Sequence, residues 1–255
     1  MRDPTTRFSD RVADYLRSRP SYPTDLLAIL EGEAGLEPTH RVADIGSGTG
    51  LLSRLFLDHG NSVYGVEPNR EMREAGEQIL AAYPGFASVD GCAESTTLPE
   101  ACVDLVAVGQ AFHWFDAPRA RAEFLRILRP GRPVVLVWND RREDAGPFMA
   151  GYERLLRDYG TDYRQVHHRR LGEVEIADFF GRGIFGCRTL PNRQSFDLPG
   201  LQARLRSSSY VPAPDEPGYA ELMEGIGELF ETRQTGGRVV LEYETRIYFG
   251  RPSIS

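Results

Sequence analysis

The feature that most constrains the fold is a regular alternation of apolar runs and amphipathic stretches across residues 41–138. The apolar runs of strand length are RVADI (41–45), SVYGVE (62–67), VDLVAVG (103–109) and PVVLVW (133–138). The stretches with helical spacing between them cover 51–60, 70–83 and 118–130. Strands that alternate with helices in this way predict βαβ units and a parallel sheet. We therefore expect an α/β fold, a doubly wound Rossmann-like sheet of seven mostly parallel strands with helices on both faces.

The segments on either side of this core predict a lid, a cap and a final strand. Residues 1–35 have helical apolar spacing, which the prolines of RPSYP (19–23) interrupt. Further helices are expected at 145–160, 173–180 and 216–232, and a sixth strand at about 186–196. We expect one domain, 1–255, made of a helical lid (1–35), a cofactor-binding core (36–140), a helical cap over the carboxyl edge with the sixth strand (141–237), and an antiparallel last strand (238–250).

A glycine-rich turn follows the first predicted strand, in VADIGSGTG (42–50). Its spacing is G-x-G-x-G, and Leu51 stands where the dinucleotide fingerprint G-x-G-x-x-G has its third glycine. Glu67 ends the second strand, 21 residues after Gly46. A carboxylate at this place can accept hydrogen bonds from two ribose hydroxyls. The pattern predicts binding of a ligand that contains adenosine.

Four motifs together resemble those of class I S-adenosylmethionine-dependent methyltransferases. They are DIGSGTG (44–50), the acid in GVEPN (65–69), GCAESTTLP (91–99) and VDLVAVGQAFHWF (103–115). The chain is most similar to a type 11-like small-molecule branch that includes trans-aconitate methyltransferase relatives, and the resemblance covers nearly its whole length. It implies S-adenosylmethionine as the cofactor, S-adenosylhomocysteine as the product and no metal.

The resemblance also assigns roles to individual residues. Beneath the homocysteine part it places Gly46, Ser47, Gly48 and Gly50, with Asp44 supporting the loop. It assigns the ribose to Glu67, one adenine face to Pro68 and Met72, and the adenine edge to Cys92, Ala93 and Glu94. Gln110 is expected near the methionine moiety, and Tyr15 and Arg19 at its carboxylate, which an arginine fork suits. Many members have Asp where this chain has Cys92, which leaves backbone groups or Glu94 to accept from the adenine amino group.

The string QAFHWFD (110–116) is the candidate acceptor region. In methyl transfer the cofactor supplies the electrophile and the protein mainly positions the reactants. His113 is either a general base for a hydroxyl or amine acceptor or, like Trp114, a packing residue under the next helix. The expected substrate pocket consists of Tyr22, His113, Trp114, Arg141 and Tyr210.

Several arginines of the predicted cap could hold an acidic acceptor. Arg141, Arg142, Arg204 and Arg206 are each able to clamp a carboxylate, or are surface residues of a chain that has no lysine. The acceptor is expected to be a small molecule, with a carboxylate or a hydroxyl as the methylated group. Two alternatives remain: a non-catalytic S-adenosylmethionine-binding module, and a nicotinamide-dependent oxidoreductase, which Leu51 disfavours.

Composition argues against other partners. The net charge is −7, with 30 Lys plus Arg against 37 Asp plus Glu, which disfavours nucleic acid. The amino terminus lacks the apolar run of a signal peptide, and the 3 cysteines show no CxxC spacing. We expect a cytoplasmic monomer or homodimer with no membrane or metal partner. Gln110 replaces the Asp of a metal site, and HHRR (167–170) is interpreted as a solvated turn.

Overall fold

The computed structural model describes residues 19–161, 163, 172–181, 184–208 and 210–253. The predicted helix before residue 19, Tyr15 within it, and the basic turn at 167–170 lie outside the described residues.

The described residues form a seven-stranded sheet with the order β3-β2-β1-β4-β5-β7-β6. The strands are β1 (Arg41–Ile45), β2 (Ser62–Val66), β3 (Phe86–Val89), β4 (Leu105–Gly109), β5 (Val134–Arg141), β6 (Phe185–Phe196) and β7 (Val239–Gly250). The pairs among β1 to β5 are parallel, whereas β7 is antiparallel to both β5 and β6. The predicted fold class, including the antiparallel last strand, is confirmed.

Helices lie on both faces of this sheet and at its carboxyl edge. They are α1 (Asp25–Ala34), α2 (Leu51–His59), α3 (Arg70–Ile79), α4 (Ala117–Ile127), α5 (Pro147–Tyr159), α6 (Glu173–Phe180), α7 (Leu198–Arg206) and α8 (Tyr219–Arg233). Successive residues of β4 belong to two different hydrophobic cores, because side chains alternate between the faces of a strand. Val106 and Val108 pack with α4 and α6, while Leu105 and Ala107 pack with α1 and α2. No helix among the described residues is both long and apolar enough to cross a bilayer.

The fifth strand is longer than its apolar run. The pattern predicts residues 133–138, but β5 continues through Asn139 and Asp140 to Arg141, which pairs with Tyr243 of β7. Asn139 and Asp140 therefore lie within the strand rather than after it. The pattern missed this end because Asn and Asp are poor strand formers. Here the pairing of β5 with the longer β7 outweighs their low strand propensity. The short third strand, Phe86–Val89, is only half-buried and gave no clear apolar run.

A third core forms where β7 extends past the carboxyl end of β5. Arg141, the last residue of β5, pairs with Tyr243, so the residues of β7 before Tyr243 lie beyond the end of β5. Val239 and Leu241 from this extension pack with α5, α7 and α8. The cap is thus placed at the carboxyl edge of the sheet, where the loops that follow β1, β2 and β4 also lie.

Helices α5 and α8 of the cap approach closely through two reciprocal glycine–leucine contacts. A Cβ on Gly151 would lie 2.7 Å from Leu229 Cδ1, and one on Gly225 would lie 2.7 Å from Leu155 Cδ2. Each helix therefore presents a glycine to the leucine of the other, four residues from its own leucine. This arrangement lets the two backbones pack at short distance.

Two alanine substitutions on α8 test this packing. Gly227 has nothing within 4 Å of its built Cβ, so Gly227→Ala should raise the free energy of unfolding by about 0.5–1 kcal/mol through helix propensity alone. Gly225→Ala should gain less than Gly227→Ala, because its methyl group first has to displace the Cδ2 end of the half-buried Leu155. Urea unfolding of both variants gives the comparison, and equal gains would contradict the close approach of the two helices.

Candidate functional site

The glycine loop is held in a conformation that needs glycine. Gly46, Gly48 and Gly50 have φ angles of 70°, 57° and 84°, in the left-handed region. A Cβ on Gly46 would lie 2.6 Å from the Cβ of Ala111, the second residue after β4. The amide of Gly46 donates to the carbonyl of Val66 at 2.8 Å. The loop is therefore fixed between the ends of β2 and β4.

Glu67 is joined directly to this loop. Its Oε2 accepts from the Gly48 amide at 2.9 Å, and its Oε1 accepts from the Asn69 amide at 2.8 Å. Glu67 is 9% exposed, and burial raises the pKa of its carboxyl group. A carboxylate offers about four acceptor positions, so positions remain on both oxygens for a ligand. The structure brings Glu67 and the glycine loop together, in the arrangement that the motifs predict.

Asp44 is a second acid, buried under the same loop. It is 1% exposed, and its Oδ2 accepts from Ser53 Oγ at 2.6 Å. Its Oδ1 is buried and has no hydrogen-bond partner in the described part of the chain. Burial raises the pKa of Asp44 from 3.8 to about 7. An unsatisfied buried carboxylate oxygen fits a ligand that brings a positively charged donor.

The residues predicted around adenine lie in the segments that follow β2 and β3. Met72 is buried in the first turn of α3, where its amide donates to the Asn69 side chain at 2.8 Å, whereas Pro68 is exposed. Cys92 exchanges backbone hydrogen bonds with Ser95, which closes a tight turn. Ala93 and Glu94 form the middle of this turn. Glu94 Oε1 accepts from the Asp116 amide at 2.8 Å, so the turn is tied to the end of the aromatic string.

Gln110 occupies a strained position at the carboxyl end of β4. Its φ angle is 60°, which is unfavourable for a residue with a Cβ and is typical of functional sites. The Gln110 side chain donates through Nε2 to the carbonyl of Asn139 in β5 at 3.2 Å. Asn139 in turn accepts from Thr245 through its side chain. The polar end of β4 is thus connected to β5 and β7.

The aromatic string forms a short 3₁₀ helix, Phe112–Trp114. Phe112 is buried and packs edge-to-face on Phe179, with ring centroids 4.6 Å apart. His113 and Trp114 are only half-buried, and their ring centroids are 4.7 Å apart. Phe112 is therefore the fully buried member of the string, and both interpretations of His113 stay predictions.

The segment before α1 crosses the carboxyl ends of β4 and β5. Tyr22 is buried with its hydroxyl over Gly109, where a built Cβ would lie 2.4 Å from Oη. The Ser21 carbonyl accepts from Asn192 Nδ2 at 2.8 Å. Arg19 Nη2 donates to the Ser207 carbonyl at 2.8 Å. Arg19, predicted at the cofactor carboxylate, thus contacts the cap in this structure.

Arg141 and Arg204 are buried, so the interpretation of these two as surface arginines is wrong. Arg204 is 2% exposed, and the Arg141 side chain is 10% exposed. Arg141 donates to Tyr210 Oη at 2.8 Å and to Tyr163 Oη at 3.1 Å, and it pairs with Glu153. Arg141 and Tyr210 therefore meet, as the predicted pocket required. We call these five residues the arginine cluster.

Glu153 and Tyr163 of this cluster were not predicted from the sequence. A signal for Glu153 was present: it shares a helical stripe with Met149, Tyr152 and Leu156, all of which are buried. Arg204 similarly lies between Leu201 and Leu205 on the buried side of α7. A charged residue on an apolar stripe indicates a buried, compensated charge. Tyr163 lies in a segment without such a pattern.

Comparison with known proteins agrees with this geometry. Residues 43–136 match the profile of a family described as a methyltransferase domain. An uncharacterised methyltransferase of Mycobacterium tuberculosis is 40% identical over 145 residues, 57% of this chain and 57% of that protein. The alignment thus spans just over half the length of that relative. An uncharacterised methyltransferase-like protein of Schizosaccharomyces pombe is 27% identical over 94% of this chain and 93% of its own.

A solved structure extends the likeness of fold to most of the chain. It is described as a type II methyltransferase from Anaeromyxobacter dehalogenans. The TM-score is 0.68 at 24% sequence identity, and the match covers 93% of this chain and 99% of the other. At this identity the likeness shows the fold alone.

Replacing Asp44 by Asn tests the buried acid under the loop. Because the folded-state pKa is raised from 3.8 to about 7, the folded protein holds this proton more tightly than the unfolded chain. The free energy of unfolding should therefore fall as the pH rises through this window, by about 1.4 kcal/mol per unit of pKa shift at most. Asp44→Asn keeps an acceptor for Ser53 but has no proton to lose in this range. Its free energy of unfolding should therefore not show this part of the decline. Urea unfolding between about pH 5 and about pH 8 measures the difference; parallel curves would contradict the raised pKa.

Proposed function

We propose that this protein is an enzyme that methylates a small molecule with S-adenosylmethionine as the methyl donor, and the match of residues 43–136 to a family described as a methyltransferase domain supports this proposal. The cofactor, when bound, supplies an electrophilic methyl group, whose bond to sulfur breaks as a bond to a carboxylate or hydroxyl oxygen of the acceptor forms. S-adenosylhomocysteine is the product. The observation that carries the proposal is the glycine loop whose Gly48 amide donates to Glu67, with the buried Asp44 two residues before the loop.

The residues around the loop fit the parts of this cofactor. Glu67 accepts from the ribose hydroxyls, and the loop Gly46–Gly50 with Ser47 lies under the homocysteine part. Asp44 faces the positive charge of the ligand through its unsatisfied oxygen. Pro68 and Met72 cover one face of adenine, and the Cys92–Glu94 turn lies at its edge.

Charge favours S-adenosylmethionine over a nicotinamide dinucleotide. Asp44 and Glu67 are both buried at the loop, so a ligand with excess positive charge lowers the cost of ionising them. A pyrophosphate placed on this loop would instead face the carboxylate of Asp44. The residue after the loop is Leu51, which begins α2 in place of a third fingerprint glycine.

The acceptor is placed between the aromatic string and the cap. Ala111 and Phe115, on either side of the 3₁₀ helix, flank Gly46 of the glycine loop. Gln110, at the start of the string, positions the methionine part. The proposed pocket consists of Tyr22, His113, Trp114, Arg141 and Tyr210. His113 serves as a general base when the acceptor is a hydroxyl, whereas a carboxylate acceptor needs none.

The remaining features of the proposal come from the sequence. They are one domain over residues 1–255 with a lid before residue 35, contacts of Tyr15 and Arg19 with the cofactor carboxylate, no metal, no nucleic-acid or membrane partner, a cytoplasmic location, and a monomer or homodimer. These stay predictions.

Glu67→Gln tests the ribose contact. In this variant an NH₂ group replaces one carboxylate oxygen. This group cannot accept from the backbone amide of Gly48 or Asn69, and the ribose also loses one acceptor. Affinity for S-adenosylhomocysteine should fall about tenfold or more, since a hydrogen bond to a charged group contributes roughly 1.5–3 kcal/mol. Isothermal titration calorimetry measures it, with Glu74→Gln, an acid paired with Arg70 on the surface of α3, as the control. Unchanged affinity of Glu67→Gln, or binding of NAD in place of S-adenosylhomocysteine, would refute the assignment.

His113→Gln separates the two kinds of acceptor. Turnover on a hydroxyl acceptor should fall about 100-fold or more, because general-base catalysis contributes roughly 10²–10⁴-fold. Turnover on a carboxylate acceptor should change little. A panel of acids and phenols with S-adenosylmethionine as donor gives both rates. An equal loss on both kinds of acceptor would show that His113 only shapes the pocket.

A further inference from the structure

A cleft lies at the amino edge of the sheet, opposite to the edge that carries the glycine loop. Its volume is about 190 Å³, and it lies between the carboxyl end of α4, the turn before β5 and the residues after β7. Arg132 precedes β5, and Arg251 follows Gly250, which pairs with Val134 at the start of β5. Between this edge and Gln110 run the 5 residues of β4, roughly 15–20 Å at about 3.3 Å per residue. The cleft is therefore separate from the proposed cofactor and acceptor sites.

Four arginines line this cleft, whereas the whole chain has a net charge of −7. Among the described residues, the acids that line the cleft or form ion pairs with its arginines are Glu100, Asp104 and Glu123. Positive charge is thus in excess at this part of the surface, and it attracts anions. The arginines are Arg126, Arg129, Arg132 and Arg251.

Arg129 and Arg132 share one buried carboxylate. Asp104 is 3% exposed, and its two oxygens accept from Arg129 Nη1 at 2.7 and 2.8 Å. Arg132 Nη2 lies 3.4 Å from Asp104 Oδ1, and the Arg41 amide donates to Oδ2 at 3.0 Å. One carboxylate thus holds two guanidinium groups in place but balances the charge of only one.

Hydrogen-bond donors remain unused on three of these arginines. The Arg129 side chain uses Nη1, which leaves its Nε and Nη2 unused in the described part of the chain. Arg132 forms the ion pair with Asp104 and no side-chain hydrogen bond to a described residue. Arg251 is exposed and forms neither an ion pair nor a side-chain hydrogen bond within the described ranges. Because a guanidinium has five N–H donors that bind oxyanions in pairs, the cleft offers donors as well as charge.

The carboxyl end of α4, which would repel an anion, is already hydrogen-bonded to backbone amides. The Arg126 carbonyl accepts from the Ala101 amide at 2.9 Å, and the Ile127 carbonyl accepts from Cys102 and Val103 at 2.9 and 3.2 Å. Ala101 lines the cleft and has a φ of 49°, which is unfavourable for a residue with a Cβ. This strained turn brings the amides onto the helix end, so little negative charge from α4 opposes the arginines.

We propose that this cleft binds the phosphate group of a small molecule, with Arg132 and Arg251 in contact with the phosphate and Arg129 beside them. A phosphate group carries about two negative charges and several oxygens that accept strong hydrogen bonds, which matches the excess charge and the unused donors. A cleft of about 190 Å³ accommodates one phosphate with a small organic group rather than a polymer. The site is additional to methyl transfer, and the proposed function does not depend on it.

Isothermal titration calorimetry of the full chain tests the site, with pyrophosphate and inorganic phosphate as probes and acetate as the control anion at equal ionic strength. Both phosphates should bind saturably, and pyrophosphate about tenfold or more tightly than acetate. Saturating S-adenosylhomocysteine should leave the pyrophosphate affinity unchanged. Equal affinities for pyrophosphate and acetate would overturn the site, and competition by S-adenosylhomocysteine would place the anion at the glycine loop instead. Tighter binding of a short single-stranded oligonucleotide would overturn the small-molecule assignment.

Substitutions of two exposed arginines locate the binding. Arg251→Gln should weaken the pyrophosphate affinity about tenfold or more, because it removes a charged hydrogen-bond donor. Arg119→Gln is the matched control, since it removes the same charge from an exposed residue of α4 outside the cleft, and it should leave the affinity unchanged. Neither side chain forms a hydrogen bond or an ion pair with a described residue, so both variants should fold. Equal losses in the two variants would indicate non-specific attraction and contradict the proposal.

Glu100→Gln should have the opposite effect. It removes the acid that lines the cleft, so pyrophosphate should bind about two- to fivefold more tightly, as expected for one exposed charge. Unchanged or weaker binding would count against the site. The affinity for S-adenosylhomocysteine should stay the same in Arg251→Gln and Glu100→Gln. A parallel loss of S-adenosylhomocysteine affinity in Arg251→Gln would show a general disturbance of the fold and contradict a local phosphate site.

Discussion

The contact on which the site depends is the hydrogen bond from the Gly48 amide to the Glu67 carboxylate. It joins the turn after β1 to the end of β2 and fixes the left-handed backbone that Gly46 and Gly50 also adopt. Through Gly46 the same loop packs on Ala111 after β4. The carboxyl ends of β1, β2 and β4 are thus joined through this loop. The acid that holds the loop, Glu67, is also the acid proposed to bind ribose. Folding and cofactor binding therefore use the same group.

Buried charge divides the carboxyl edge of the sheet into two halves. Asp44 and Glu67 make the loop side negative, and burial raises the pKa of both. On the cap side Arg141 and Arg204 are buried, and Arg141 pairs there with Glu153. A ligand that brings positive charge to the loop side would lower the cost of ionising the two acids.

The sequence predicted the parts of the structure that local patterns specify. RVADI coincides with β1, and the glycine spacing and Glu67 are found together at the loop. It failed where distant pairing decides: β5 runs to Arg141 because β7 is long enough to pair with it. The burial of Arg141 was equally unpredictable from spacing alone, since it depends on how α5 and α7 pack on the extension of β7. Glu153 and Arg204, each on an apolar stripe of its helix, were the available signals.

The central claim is that a ligand with an ammonium group binds on the glycine loop beside Asp44, and proton release on binding tests it most directly. Asp44 has a pKa of about 7 in the free protein, and a nearby ammonium group should drive it to ionise. Titration of S-adenosylhomocysteine in buffers of different ionisation enthalpy should show release of nearly one proton at about pH 6 and little at about pH 8. Asp44→Asn should release none at either pH. Equal proton release by the wild type and Asp44→Asn, or no binding of S-adenosylhomocysteine, would contradict the account.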